Sequence, residues 1–441
     1  MKRAALAGSF LLALPLAAAV GPEFRANQVT TGNQDHPRVA LDTTGSFVVT
    51  WDRDFNSIWA RRFTTAGAPI GSDFRVNLSA GGSQANPAVA AAGTGFVVCW
   101  ENFSTLGAMC QRFDGSEAFA GERFSPSGNV GSGTVGPRVG SDSSGNFVAV
   151  WHSPDGNADG IFGRRYKGDG TALTDPFRVN ETTSGFQSFP SVAVTPAGDF
   201  VVAWDGGDGS IWARRFGSDG APLTGEFRLS EGTLNLQPDV ALDASGNFTV
   251  VWQTEDGSQH GVAGRRHSSA GDALGGVFVV NALTTGDQYV PTIAYDSTGD
   301  FMVTWANAVT GNADVTARQF RSNGTPKTAT DFRVNAYTTG AQYYAVPAAG
   351  PSGTILVVWS SPQDGDQRGI YARLYTGPCL SGDANGDGSA DIADVFYLIN
   401  NLFAGGPAPV CSGDVNASFG VDIADVFYLI NFLFAGGPPP L

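Results

Sequence analysis

Residues 177–226 read FRVNETTSGFQSFPSVAVTPAGDFVVAWDGGDGSIWARRFGSDGAPLTGE, and variants of this stretch make up most of the 441-residue chain. Copies begin at Phe24, Phe74, Phe124, Phe177, Phe227, Phe278 and Phe332, spaced 50, 50, 53, 50, 51 and 54 residues apart. In the quoted copy a run at Ser191–Val194 follows Pro190, a turn at Gly198 leads to Phe200–Trp204, and a polar loop leads to Ile211–Phe216. A Gly/Pro turn then brings in the next FR-x-N segment. Each copy thus holds four short runs of β-branched and aromatic residues separated by turn formers, the pattern of four strands.

Four strands in each of seven copies predict a mainly β chain, folded as a seven-bladed β-propeller of four-stranded blades. Trp51, Trp100, Trp151, Trp204, Trp252, Trp305 and Trp359 hold one position in every copy. The last copy stops at Tyr371–Tyr375 with no FR-x-N segment after it, whereas the first begins with an extra one, Phe24–Asn27. This offset predicts that the N-terminal strand completes the last blade and closes the ring, which removes open sheet edges. Runs such as FVVAW are apolar throughout, so both sheet faces are expected to be packed between neighbouring blades. An arginine pair recurs at Arg61/Arg62, Arg164/Arg165, Arg214/Arg215 and Arg265/Arg266. Successive strand residues face opposite ways. One arginine is expected over a tryptophan or beside a repeated aspartate such as Asp42, Asp142, Asp243 or Asp296. Because the pair recurs, it reads as construction.

By the same reasoning, function belongs where the copies differ. The largest differences follow the tryptophans, in loops such as Asp52–Ser57, Glu101–Gly107, Asp205–Ser210 and Gln253–Gly261. These loops share a face with the links between blades, which carry Gln34, Gln84, Gln187, Gln288 and Gln342. Acids stand in the loops at Asp52, Asp54, Glu101, Asp205, Asp208, Glu255 and Asp256. Hydrolysis of an O-glycosyl bond would need two of them about 5–10 Å apart. Acids in Asp/Gly-rich loops are ordinarily turn formers. No G-x-S-x-G, H-E-x-x-H or phosphate loop occurs. No catalytic residue is assigned, and a non-enzymatic reading is favoured.

A net charge of -15 and a pI near 4.6 disfavour nucleic acid and anionic lipid. Residues 1–19 read as a secretory signal peptide: Lys2 and Arg3, an apolar run from Ala4, and small residues Ala17–Ala19. Export of a bacterial-type secreted or surface protein follows, with no membrane span after cleavage. Four cysteines fit an oxidising compartment and allow three pairings. The expectation is two local pairs, Cys99 with Cys110 and Cys379 with Cys411.

The propeller is placed at 20–378 and a distinct tail at 379–441. In the tail, GDANGDGSADIADVFYLINNLFAGGPAP (382–409) is echoed 31 residues later by GDVNASFGVDIADVFYLINFLFAGGPPP (413–440). Each half joins an Asp/Asn-rich loop to an apolar helix. A 12-residue calcium loop supplies oxygens from positions 1, 3, 5, 7, 9 and 12. Asp383, Asn385, Asp387, Ser389, Asp391 and Asp394 hold those positions in the first loop, with Gly388 at the turn. In the second loop Asp414, Asn416, Asp422 and Asp425 remain, but Ser418 stands at position 5 and Phe419 at the turn. One firm and one weaker Ca2+ site are expected.

On these residues the tail resembles a type I dockerin, a small EF-hand-like α-helical domain of two loop-helix units. The seven-fold repeat resembles secreted bacterial seven-bladed propellers. The dockerin resemblance implies docking to a cohesin-like or other surface protein, with Ile392, Ala393, Ile423 and Ala424 at the partner-recognition positions. The expected function is a secreted, non-catalytic binding or scaffolding protein, with a glycan or protein ligand on the propeller's loop face. The alternatives are a polysaccharide-degrading glycoside hydrolase or its carbohydrate-binding accessory, and a structural surface protein.

Overall fold

The computed structural model describes residues 21–42, 44–77, 82–104, 107–128, 133, 135–230, 234–309, 311–350, 354–375, 384, 390–406, 415, 416 and 421–438. Residues 1–19, read above as a signal peptide, and the expected pair Cys379 and Cys411 lie outside the described residues.

Seven sheets begin with the strands Gln34–Leu41, Gln84–Ala92, Val135–Ser141, Ser188–Val194, Leu236–Leu242, Asp287–Tyr295 and Tyr343–Ala349. These are the inner strands of blades 1 to 7. Each touches the next, and that of blade 7 touches that of blade 1. The remaining strands of a blade follow outward, antiparallel and in chain order, so the segment that begins the next copy, FR or in blade 5 Phe278–Val279, is outermost. Blade 7 has none of its own, and Phe24–Arg25 takes the place, with Phe24 opposite Ala372 and Arg25 opposite Tyr371. The ring closes as the offset termini predict. Blade 2 carries a three-strand ladder, and Phe124 fills the fourth position by exchanging backbone hydrogen bonds of 2.8 and 3.0 Å with Cys110. Cys99 and Cys110 face each other across that blade and are disulfide-bonded.

The cores lie between blades. Phe200, Val202 and Trp204 pack back against Val148, Val150 and Ile161 of blade 3, while Val201 and Ala203 pack forward against Val250 and Trp252 of blade 5. Alternating side chains therefore serve two interfaces, which explains the unbroken apolar runs. All seven tryptophans are buried in this way.

The arginine pair spans the same two interfaces. Arg214 reaches back to the Val179 carbonyl at 2.9 Å, as Arg61 does to Ala26 at 3.0 Å and Arg318 to Val280 at 2.8 Å. The second arginine reaches forward: Arg62 donates to the Gly115 carbonyl at 2.5 Å, and Arg266 to that of Ser322. The pair is construction, but its partners differ from expectation. Arg61, Arg164, Arg214 and Arg318 lie over Phe63, Tyr166, Phe216 and Phe320, two residues along the same strand, not over tryptophan. Asp42, Asp142, Asp243 and Asp296 instead accept backbone N–H groups that close their own turns. A tight turn offers those amides locally, so the short acid is used before any arginine reaches it.

In blade 5 this aromatic position is His267, 3% exposed and stacked on Phe248 with 5.0 Å between ring centroids. Burial, with Arg265 adding to it, pushes its pKa from 6.5 down to about 4. The unfolded chain thus binds a proton between those values that the folded blade refuses, so stability falls as pH drops through that window. His267→Phe should remove this dependence and gain about 1–2 kcal/mol more at pH 5 than at pH 7, discounted for screening. Urea melts at both pH values read the difference, and an equal gain at both contradicts the assignment.

The C-terminal unit contains helices α1 (Ile392–Ala404) and α2 (Ile423–Ala435). Each starts with a reciprocal capping box, Asp391 with Asp394 and Asp422 with Asp425, and ends at a left-handed glycine, Gly405 or Gly436. Val395, Leu398, Val426 and Leu429 form their shared core.

Candidate functional site

The residue before each inner-strand proline has a left-handed φ: His36 50°, Asn86 53°, Gly136 59°, Phe189 48°, Gln237 52° and Val290 52°. Tyr344, before Ala345 in blade 7, has 55°. Such values are outliers for valine, phenylalanine and tyrosine. Strand pairing shifts register at the same point in every blade, so each is a bulge. The next inward positions are Arg38, Ala88, Arg138, Ser191, Asp239, Thr292 and Val346. Both sets line one central cavity of about 320 Å³. Hardly any side chain repeats in either ring, although the bulge that presents them repeats seven times. This is where the copies differ most sharply in chemistry.

Polar groups in the cavity are arranged as follows. Asp239 accepts from Ser191 Oγ at 2.7 Å and from the Ile293 amide at 3.0 Å, and burial raises its pKa. Glu101 accepts from Asn86 Nδ2 at 2.8 Å and from the Gly136 amide at 2.6 Å. His36 Nδ1 lies 2.7 Å from Asp52, whose carboxyl burial pushes up while His36 holds it down. His152 Nδ1 stands 3.4 Å from Asp159, and burial lowers its pKa. Arg38 and Arg138 donate to the carbonyls of Pro37 and Pro137 at 3.0 and 3.1 Å.

Over the blade 6–7 side of the mouth lies a second cavity of about 560 Å³, lined by Tyr289, Tyr343, Tyr344, Asn33, Asp35, Gln237, Val290 and Arg368. Gln237, Val290 and Tyr344 line both cavities. The Arg368 guanidinium sits 4.4 Å from the Tyr343 ring centroid and 3.3 Å from Asp35. Tyr343 lies 6.1 Å from Tyr289, and the Tyr344 ring is tilted against that of His36 with 4.3 Å between centroids. Aromatic faces beside planar hydrogen-bonding groups suit a ligand with apolar C–H faces and equatorial hydroxyls.

The loops after the tryptophans contribute less than expected, because their acids are engaged nearby. Asp205 accepts from the Gly207 amide, Asp208 from that of Ser210 and Asp256 from that of Ser258. Asp54 accepts from the Asn33 amide, and Glu255 lies opposite His260 in the sheet. Of these acids Glu101 lines the central cavity, and Asp52 meets it through His36. The link glutamines are also internal: Gln34, Gln187 and Gln288 accept from Asn27, Asn180 and Asn281. The sequence signal for this candidate site is the unrepeated residue before a repeated proline.

In the tail, Asp391, Asp394, Asn416, Asp422 and Asp425 are described, whereas Asp383, Asn385, Asp387, Ser389, Asp414 and Ser418 lie outside the described residues. Among the described residues no cluster of three His, Cys, Asp or Glu forms a metal site. Asp394 and Asp425 are wholly buried where loop meets helix, and Asp425 accepts from the amides of Val415, Asn416 and Asp422. Ile392 and Ile423 are 44% exposed beside exposed Ala393 and Ala424. With Phe396, Phe403, Phe427 and Phe434 they give each helix an exposed apolar face.

No protein-family model and no curated protein matches the chain. Among solved structures, a protein of unknown function from Dyadobacter fermentans is 13% identical, with a TM-score of 0.48, covering 67% of this chain and 96% of that one. AofleA from Arthrobotrys oligospora is 10% identical, TM-score 0.44, covering 74% and 95%. The fucose-specific lectin from Aleuria aurantia is 14% identical, TM-score 0.43, covering 69% and 98%. At these scores the likeness assigns no ligand. No described helix is long and apolar enough to cross a membrane.

Proposed function

We propose that the protein is an exported, non-catalytic saccharide-binding protein that docks to a surface partner through a calcium-dependent tail. The tyrosine-lined mouth carries the reading: Tyr289, Tyr343 and Tyr344 border a cavity with Asn33, Asp35 and Arg368 as hydrogen-bonding groups. Sugar rings stack their C–H faces on such aromatics while the polar groups meet hydroxyls. The absence of free paired acids among the described loop residues favours binding over hydrolysis, since Asp52 and Glu101 are each held by neighbours. A glycan array probed with the full chain tests this, with hydrolysis assays on every hit. Tyr343→Ala should weaken binding about tenfold or more by removing the platform. Turnover of a bound glycan, or binding indifferent to Tyr343, overturns it.

For the tail, the donor set is all oxygen, which suits a hard cation such as Ca2+. A buried carboxylate at each loop's last position fits that chemistry, because a wholly desolvated acid favours a cation nearby. The first loop would hold calcium through Asp383, Asn385, Asp387, Ser389, Asp391 and Asp394. The second would hold it more weakly through Asp414, Asn416, Ser418, Asp422 and Asp425. Bound calcium would neutralise the loop carboxylates and couple binding to folding. Calcium titration by circular dichroism should show a larger loss of response for Asp387→Ala than for Asp422→Ala, and the reverse order refutes the ranking. The exposed phenylalanine faces of α1 and α2 favour an apolar partner surface.

A further inference from the structure

The overall charge is -15, yet the central cavity presents two guanidinium groups from equivalent positions of blades 1 and 3. Each of Arg38 and Arg138 has five N–H donors, and each makes a hydrogen bond to the proline carbonyl preceding it. Among the described residues no carboxylate lies within 4.0 Å of either. The two acids that share the cavity, Asp239 and Glu101, are hydrogen-bonded by Ser191, Asn86 and backbone amides. Asp239 acts on both arginines and Glu101 on Arg138 from beyond that distance, so no carboxylate occupies the guanidinium forks, which line the cavity. Burial, with Arg138 next in effect, lowers the Arg38 pKa to about 9, which leaves it cationic at neutral pH. His36 and His152, at the wall, are held by Asp52 and Asp159.

The cavity is continuous in lining with the tyrosine mouth through Gln237, Val290 and Tyr344. A ring stacked at the mouth would thus direct a substituent into the channel. We infer that the saccharide is acidic, with its oxyanion, a carboxylate or a sulfate, seated between Arg38 and Arg138. Arginine is suited to this by its planar fork, which meets either group with two parallel hydrogen bonds. The inference rests on the saccharide reading of the mouth.

Calorimetric titration of the full chain with glucuronic acid, glucose 6-sulfate and glucose tests it. At least one acidic sugar should bind about tenfold or more tightly than glucose, with a preference that shrinks as salt is added. The two acidic probes separate carboxylate from sulfate. Arg38→Gln and Arg138→Gln should each bring that preference to within about twofold. Should either variant fail to fold, by circular dichroism, Arg38→Lys and Arg138→Lys replace them and should reduce the preference by about threefold or more. Equal affinity for all three sugars overturns the inference and leaves the saccharide reading standing. A preference untouched by both arginine substitutions also overturns it. No binding of any of the three while the array identifies neutral glycans overturns it as well, whereas an array without hits removes both readings.

Discussion

A chain lacking residues 21–27 is expected to lose about 5 kcal/mol or more of propeller stability, seen as a fall of roughly 10 °C in melting temperature. The segment does several things at once. Phe24 and Arg25 pair with the outer edge of blade 7, and Ala26 is wholly buried between blades 7 and 1. Asn27 Oδ1 accepts the Ile370 amide at 2.8 Å, and Arg61 of blade 1 donates to the Ala26 carbonyl at 3.0 Å. Glu23 holds the Ala336 amide of the link leaving blade 6 at 2.7 Å. Removing these leaves Gly369–Tyr375 as an open edge, so self-association by size-exclusion chromatography should rise as well. A truncated protein that melts like the intact one and stays monomeric would mean the ring does not depend on this closure.

Trp204→Ala should cost about 3–5 kcal/mol, since it empties a wholly packed site. Trp204 is 1% exposed and lies in the core between blades 3 and 4, with Val150, Ile161 and Phe216 in the same cluster. Trp212→Ala is the contrast: that indole borders a surface pocket with Thr182 and Glu226. It packs half-buried against the rim of that same core, so it should cost less, about 1–2 kcal/mol. Chemical denaturation of both variants compares them, and similar losses would falsify the division between frame and surface.

Much of the fold was legible because it depends on features that recur along the chain. The apolar runs around Trp51 to Trp359, the turns between them, and the unequal ends of the first and last copies sufficed for blade number and closure. The apolar helices of the tail were legible too, and the structure adds that Asp391 and Asp422 cap their starts. The arginine pair was read correctly as construction but with the wrong partners. Its true acceptors, such as the carbonyls of Val179 and Gly115, belong to neighbouring blades and carry no side-chain signal.

The site was another matter. The loop acids read in sequence as turn formers, and Asp205, Asp208 and Asp256 accept from amides two residues away. Local hydrogen bonds of that kind form wherever a short acid meets a turn. Arg38, Arg138, Asp239 and Tyr344 stand far apart along the chain and share no motif. They meet because a bulge repeated in all seven blades brings largely unrepeated residues to one cavity. By itself the sequence determined the blade, the count of blades and how the ring is joined, since these follow from local periodicity and from the termini. Only the tertiary structure decided which residues face one another across the channel, because that proximity exists only once the ring has closed.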